Sequence, residues 1–202
     1  AAKHGIWGST LGVGLKGKTL GLLGLGHIGS LVARVGNAFD MRVIAWSQNL
    51  TQERADECNA TLVDKTTLFT ESDVVSIHVR LSDRTLGLVT LQELNMMKPT
   101  SYLINISRGP IVVETDLVQA LKDGSIAGAG LDTFDVEPLH KDHPLLTLTN
   151  VLSTPHIGYV TREGYQAFYS GVVENINGYL GGEPIRVINP EVLESSALRT
   201  SL

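Results

Sequence analysis

Two groups of residues in this chain have the types and spacing to do chemistry. The first is Gly24-x-Gly26-x-x-Gly29, set directly after the apolar run Thr19–Leu23 in "TLGLLGLGHIGSLVA". Gly24 allows a tight turn, Gly26 lets backbone approach a pyrophosphate, and Gly29 lets the following helix pack on the strand. A helix starting near His27 then turns unpaired N–H groups and the positive end of its dipole toward the phosphates. The second group is Arg108, Glu137 and His156, in "NISRGP", "LDTFDVEP" and "STPHIG". Singly, each has an ordinary explanation: a turn residue pairing with a surface acid, an exposed loop acid, a satisfied loop histidine. Together they are charged or titratable groups that follow successive strands, and that makes them candidates for one convergent site.

The elements that must hold these residues alternate along the chain. Strand 19–23 leads into helix 27–39, which carries Ile28, Leu31, Val32, Val35 and Phe39 at helical spacing. Strand 41–46 follows, then an Asp/Glu-rich surface stretch, a strand at 60–63 and a short helix at 65–70. Next come strand 73–79, a helix ended by Lys98-Pro99, and strand 101–107. Helix 114–124 has Leu117, Val118 and Leu121 on one face and Gly124 as its stop. Strands 126–132 and 150–154 precede a long helix, 161–179, closed by Gly181-Gly182. Six or seven strands interleaved with helices predict an α/β fold, a Rossmann-type doubly wound parallel sheet with helices on both faces. Ligands of such sheets sit at the carboxyl ends of the strands, which is where both groups fall. The Gly-rich residues 1–18 read as a connector, and 19–180 as a dinucleotide-binding domain.

Bulk composition excludes several classes. A chain of 202 residues with 43% hydrophobic and 18% charged residues has the make-up of a globular α/β protein. A net charge of -5 gives no electrostatic case for nucleic acid or an anionic membrane. No apolar run reaches the roughly 20 residues of a membrane helix, and the first residues show no signal pattern. Cys58 is the single cysteine, so no intrachain disulfide can form; a reducing cytoplasm is the expected location. Metal binding is not expected: His4, His27, His140 and His143 lack a completing ligand set, and "LHKDHP" reads as surface loop.

The end of the second strand bears on which dinucleotide would bind. A carboxylate there would grip the adenosine ribose diol, but in "MRVIAWSQN" the position falls on Ser47. A serine can bond a ribose hydroxyl without repelling a 2′-phosphate. No arginine follows directly, and Arg54 comes further on. The residues leave both NAD and NADP open, with the balance tilted slightly to NAD.

The phrases GLGHIG, "NISRGPIV", "LDTFDVEPL" and "STPHIG", in this order and spacing, closely resemble the D-isomer-specific 2-hydroxyacid dehydrogenase family. The resemblance implies an NAD(P)-dependent oxidoreductase interconverting small 2-keto and D-2-hydroxy acids. It implies that His156 supplies the proton for the carbonyl oxygen, an imidazole being able to gain and lose charge near neutrality. It implies that Glu137 orients that imidazole and that Arg108 binds the substrate carboxylate through its planar fork. Cofactor contacts are then expected at Gly24, Gly26, His27, Ile28, Gly29, Ser47, His78, Ser107, Asp132 and Gly158. In "HVRLSDRT", Arg80 and Ser82 replace the family's proline and threonine, and Arg80 is expected to point to solvent.

Members of the family have a second, substrate domain. Residues 1–18 would correspond to the interdomain connector and 181–202 to a tail returning to that domain. The apolar face of the long helix (Phe168, Val172, Ile176, Tyr179) would then be partly uncovered, and a homodimer is expected. A nucleotide-sensing corepressor of the same fold could keep the Arg–Glu–His set and is the alternative from another class. A formate dehydrogenase ranks low, since its pattern has glutamine where Glu137 stands.

Overall fold

Five consecutive buried residues, Thr19–Leu23, form β1, and their burial on both faces is what a central strand of a parallel sheet requires. Around it, in the computed structural model, lie β2 (Arg42–Trp46), β3 (Thr61–Leu62), β4 (Val74–Ile77), β5 (Tyr102–Asn105), β6 (Gly128–Leu131) and β7 (Val151–Ser153). The structure describes Gly5, Trp7 and residues 11–194. The connector reading therefore lies outside the described residues at 1–4, 6 and 8–10, and the tail reading at 195–202, as does His4. Among the described residues the sheet has seven strands, all parallel, in the order β3-β2-β1-β4-β5-β6-β7. The chain runs outward from β1 to β3, then returns to place β4 on β1's other side. The strand order reverses there, and the reversal leaves a crevice at the carboxyl ends of β1 and β4.

Alternation along the strands separates two cores. Leu20 and Leu22 of β1, with Val43 and Ala45 of β2, pack with Ala33 of α1 (His27–Ala38) and Ala55 of α2 (Gln52–Glu57). Leu23 and Ile44 point the other way. There they join Leu68 and Phe69 of α3 (Lys65–Glu71), Leu94 of α4 (Leu91–Met96) and Leu117 of α5 (Glu114–Asp123). Helices thus cover both faces of the sheet, as the alternating pattern requires.

Local signals account for most helix ends. Thr90 and Glu93 form a capping box at the start of α4. Gly124, left-handed at φ 71°, stops α5 at the expected place. The acidic stretch read as surface contains α2, capped by Thr51, whose hydroxyl accepts from the Arg54 N–H at 3.3 Å.

The face of α1 is a correction. The apolar residues Ile28, Leu31, Val35 and Phe39 stand exposed, while Gly29, Ala33 and Gly36 are buried against the sheet. The cause is the close approach of helix to sheet: a Cβ on Gly36 would meet Leu20 Cδ2 at 2.7 Å and Val43 Cγ2 at 3.1 Å. Only small residues fit on that side, so the large ones face outward.

A second correction concerns His143, expected in an exposed loop. Its ring is half-buried: Nδ1 accepts from the Leu145 N–H at 3.3 Å, capping the short helix α6 (Pro144–Thr147). Nε2 meets Glu114 Oε1 at 3.0 Å, tying this segment to the start of α5. His140 is exposed, as expected.

The chain divides into two units, residues 1–156 and 157–202. The second unit contains α7 (Arg162–Leu180), capped by Thr161, whose Oγ1 accepts from the Gly164 N–H at 2.9 Å, and ended by Gly181. None of its described residues is buried, and Phe168, Val172, Ile176 and Tyr179 form an exposed apolar row.

Two of the phenylalanines make contrasting predictions. Phe69→Ala removes a ring buried completely in the α3 face and is expected to cost about 3–5 kcal/mol. Phe39→Ala, at a position 55% exposed, is expected to stay within about 0.5 kcal/mol of wild type in urea unfolding.

Candidate active site

A cavity of about 1070 Å³ opens at the carboxyl ends of β1, β2, β4 and β5. Its floor is the glycine loop. Gly24 adopts φ 102°, a left-handed value that only glycine takes readily. Gly29 is packed so tightly that a Cβ would lie 2.2 Å from the Gly24 carbonyl oxygen. Gly26 meets nothing within 4 Å of where its Cβ would be and lines the cavity. The three glycines therefore do three different jobs, and the space over Gly26 is a cradle that a side chain would fill. Gly26 also precedes the first residue of α1 with no side-chain cap, so the helix's first N–H groups remain for a ligand. A dinucleotide pyrophosphate fits this arrangement.

Of the expected cofactor residues, Gly24, Gly26, His27, Ile28, Ser47, His78 and Ser107 line the cavity, as does Arg108. Gly29 lies buried beneath the loop. Asp132 is buried at the end of β6, where its Oδ1 accepts from Thr154 Oγ1 at 2.5 Å, joining the ends of β6 and β7. Gly158 belongs to the second unit. Arg80 is exposed and also lines the cavity, so its charge belongs to the pocket rather than to open solvent alone.

The turn after β5 is held by Asn105, whose importance the sequence reading missed. This side chain is 1% exposed; its Nδ2 donates to the Arg108 carbonyl at 2.9 Å and its Oδ1 accepts from the Ser107 N–H at 3.1 Å. Ser107 Oγ donates to the Val79 carbonyl at 2.5 Å and ties the turn to the loop after β4. Arg108 Nη1 donates to the Ser107 carbonyl at 2.6 Å. The signal available in sequence was a polar residue closing the apolar strand "YLIN", since a buried amide must find partners for both ends.

Gly109 brings Arg108 to the remaining pair. A Cβ at Gly109 would lie 2.0 Å from the Phe134 carbonyl carbon, so the turn after β5 rests directly on the loop after β6. In that loop Glu137 uses both carboxylate oxygens. Oε1 accepts from the Phe134 N–H at 2.9 Å, and Oε2 lies 2.6 Å from His156 Nδ1. The hydrogen bond to His156, aided by the Phe134 N–H and by the charge of nearby Arg108, holds the Glu137 carboxyl below its ordinary range. An ionised carboxylate can only accept, so Nδ1 carries the proton, and Nε2 is the ring nitrogen not taken by Glu137. His156 sits at φ 52°, a left-handed backbone value that costs energy in a residue with a side chain. Arg108, Glu137 and His156, separated by 48 residues of sequence in all (156 − 108), are thus brought together at three strand ends.

His78, just past β4, pairs through Nε2 with Ser76 Oγ at 2.9 Å. Burial alone pushes its pKa down to about 4, so the ring is neutral at physiological pH. Among the described residues no group of three or more His, Cys, Asp or Glu is placed to hold a metal ion.

This geometry defines a Rossmann dinucleotide-binding domain with a carboxylate–histidine pair and an arginine at its strand ends. The profile of the D-isomer specific 2-hydroxyacid dehydrogenase NAD binding domain matches residues 1–158, and the chain belongs to that family. It is 43% identical over 187 residues to a glyoxylate reductase of Thermococcus litoralis, covering 92% of this chain and 56% of the relative. Among solved structures, a putative D-3-phosphoglycerate dehydrogenase oxidoreductase from Ralstonia solanacearum superposes with a TM-score of 0.88 at 40% identity. That match covers 98% of this chain and 62% of the other. The NAD-complexed D-isomer specific 2-hydroxyacid dehydrogenase of Lactobacillus delbrueckii ssp. bulgaricus gives 0.71 at 34% identity, covering 84% and 55%. The chain spans little more than half the length of the curated glyoxylate reductase it matches.

His78 yields a pH prediction. Between about pH 6.5 and 4 the unfolded chain takes up a proton at His78 that the folded chain refuses. The unfolded state then binds more protons, so stability falls as pH falls through this window. Urea unfolding of His78→Asn is expected to show a shallower loss from pH 6.5 to 4 than wild type.

Proposed function

We propose that this chain is the cofactor-binding part of an NAD(P)-dependent oxidoreductase that interconverts 2-keto acids and D-2-hydroxy acids. The observation that carries the reading is the 2.6 Å contact between Glu137 and His156, with Arg108, which lines the cavity, near enough for its charge to act on Glu137. Gly24, Gly26 and the first turn of α1 hold the pyrophosphate, and the bound nicotinamide supplies or accepts a hydride. Arg108 presents its guanidinium fork to the substrate carboxylate, a pairing that fixes orientation as well as charge. His156 holds a proton at Nε2 for the carbonyl oxygen during reduction and takes it back during oxidation. Glu137 keeps Nδ1 protonated and stabilises the ring when both nitrogens carry protons. The left-handed backbone of His156 is consistent with a position kept for chemistry, where strain is tolerated.

Homodimerisation is part of the same reading, supported by the exposed apolar rows on α1 and on α7. So is a cytoplasmic location, in line with the single Cys58.

The test is NADH- or NADPH-dependent reduction of glyoxylate and pyruvate by the protein expressed from its complete reading frame. His156→Ala is expected to lower kcat by about 10²–10⁴-fold, the usual contribution of a positioned general acid. Reduction at an unchanged rate would rule out His156 as the proton donor.

A further inference from the structure

The charge of the cavity wall exceeds what the proposed reading uses. Arg54, Arg80, Arg84 and Arg108 all line the cavity, and none of the described residues lining it is Asp or Glu. This occurs in a chain whose net charge is -5. Arg108 lies past β5 and is committed to a substrate carboxylate. The pyrophosphate is met by the glycine loop and the N-terminus of α1. Three guanidinium groups remain: Arg54 on α2, past β2, and Arg80 and Arg84 on the loop past β4.

Both segments line the same cavity. β2 and β4 flank β1, and by the usual strand spacing their ends lie about 10 Å apart across the glycine turn. On one side, Arg54 Nε donates to the Leu25 carbonyl at 3.2 Å, which anchors the side chain to the glycine loop itself. Glu57 meets Arg54 Nη1 at 2.9 Å and offsets part of its charge. On the other side, Thr85 Oγ1 donates to the Arg80 carbonyl at 2.6 Å and accepts from the Ser82 N–H at 2.8 Å. This closes residues 80–85 into a turn that presents Arg80 and Arg84, neither of which has an ion-pair partner among the described residues. Also lining the cavity, directly after β2, is Ser47 rather than a carboxylate. A carboxylate there would bond a ribose diol and repel a phosphate; a serine does neither strongly.

We propose that Arg54, Arg80 and Ser47, with Arg84 adding charge, form a subsite for the adenosine 2′-phosphate, and that the chain prefers NADPH to NADH. The proposal rests on the dinucleotide reading of the cavity and reverses the slight tilt to NAD that Ser47 alone gave. A phosphate monoester brings a charge of about −1.5 to −2 and acceptor oxygens suited to guanidinium forks. With NADH bound, these arginines would face an uncharged ribose. A fingerprint confined to the residues just past β2 does not reveal Arg80, which comes from a different strand.

The experiment is titration of the purified chain with NADPH and with NADH, read by calorimetry and by quenching of Trp46, which lines the cavity. NADPH is expected to bind at least tenfold tighter, with the margin shrinking as salt rises. Arg80→Ala removes an exposed side chain with no packing role, and it is expected to weaken NADPH about tenfold while leaving NADH unchanged. Ser47→Asp is expected to invert the preference. Equal affinities, or tighter NADH, would overturn the NADPH preference and leave the dinucleotide reading standing. A loss in Arg80→Ala that is equal for both cofactors would also overturn it, since the residue would then serve the shared pyrophosphate. Failure to bind either dinucleotide would overturn the dinucleotide reading itself.

Discussion

The structure depends on how closely α1 can lie against the sheet. Gly29 sits with its Cα almost against the Gly24 carbonyl, and Gly36 fits over Leu20 and Val43 where any Cβ would collide. That contact places the first turn of α1 directly over the end of β1, and so aims its free N–H groups into the cavity. It also leaves the larger apolar residues of α1 with no inner position to occupy. The outward Ile28, Leu31, Val35 and Phe39 follow from the same constraint that builds the phosphate cradle.

A second close approach does the equivalent work on the other side of the sheet. Gly109 lets the turn after β5 rest on the backbone at Phe134. Asn105, buried and bonded at both ends of its amide, fixes the shape of that turn. Arg108 is thereby held near enough to Glu137 for its charge to be felt there, while Glu137 holds His156. Backbone contact at Gly109, together with the side-chain bonds of Asn105 and Glu137, brings the three groups to one place. That is consistent with a sheet whose strand ends are set rigidly by parallel pairing.

Much of this was legible in the residues. The strand–glycine–helix order and the Gly124 stop are local signals, and both were matched by the structure because local backbone chemistry decides them. The cavity-lining role of Ser47 and His78 followed from the rule that such sheets bind at their carboxyl ends. Three things were not legible. The burial of α1 was misread because periodicity marks an apolar stripe without revealing how near the sheet lies. His143 was read as surface because its partner, Glu114, is 29 residues away. The gathering of Arg54, Arg80 and Arg84 around one cavity joins helix and loop positions that no spacing rule connects.

The sequence by itself determined the fold class, the phosphate loop, the family and the identity of the groups that could do acid–base work. These rest on short-range patterns: period, turn chemistry and the order of motifs. Only the tertiary structure decided which nitrogen of His156 is engaged, which face of α1 meets the sheet, and that the cavity wall is cationic without a carboxylate. Those depend on distances across the sheet, where the controlling quantity is how closely backbones approach, and that is set by glycines acting together across separate strands.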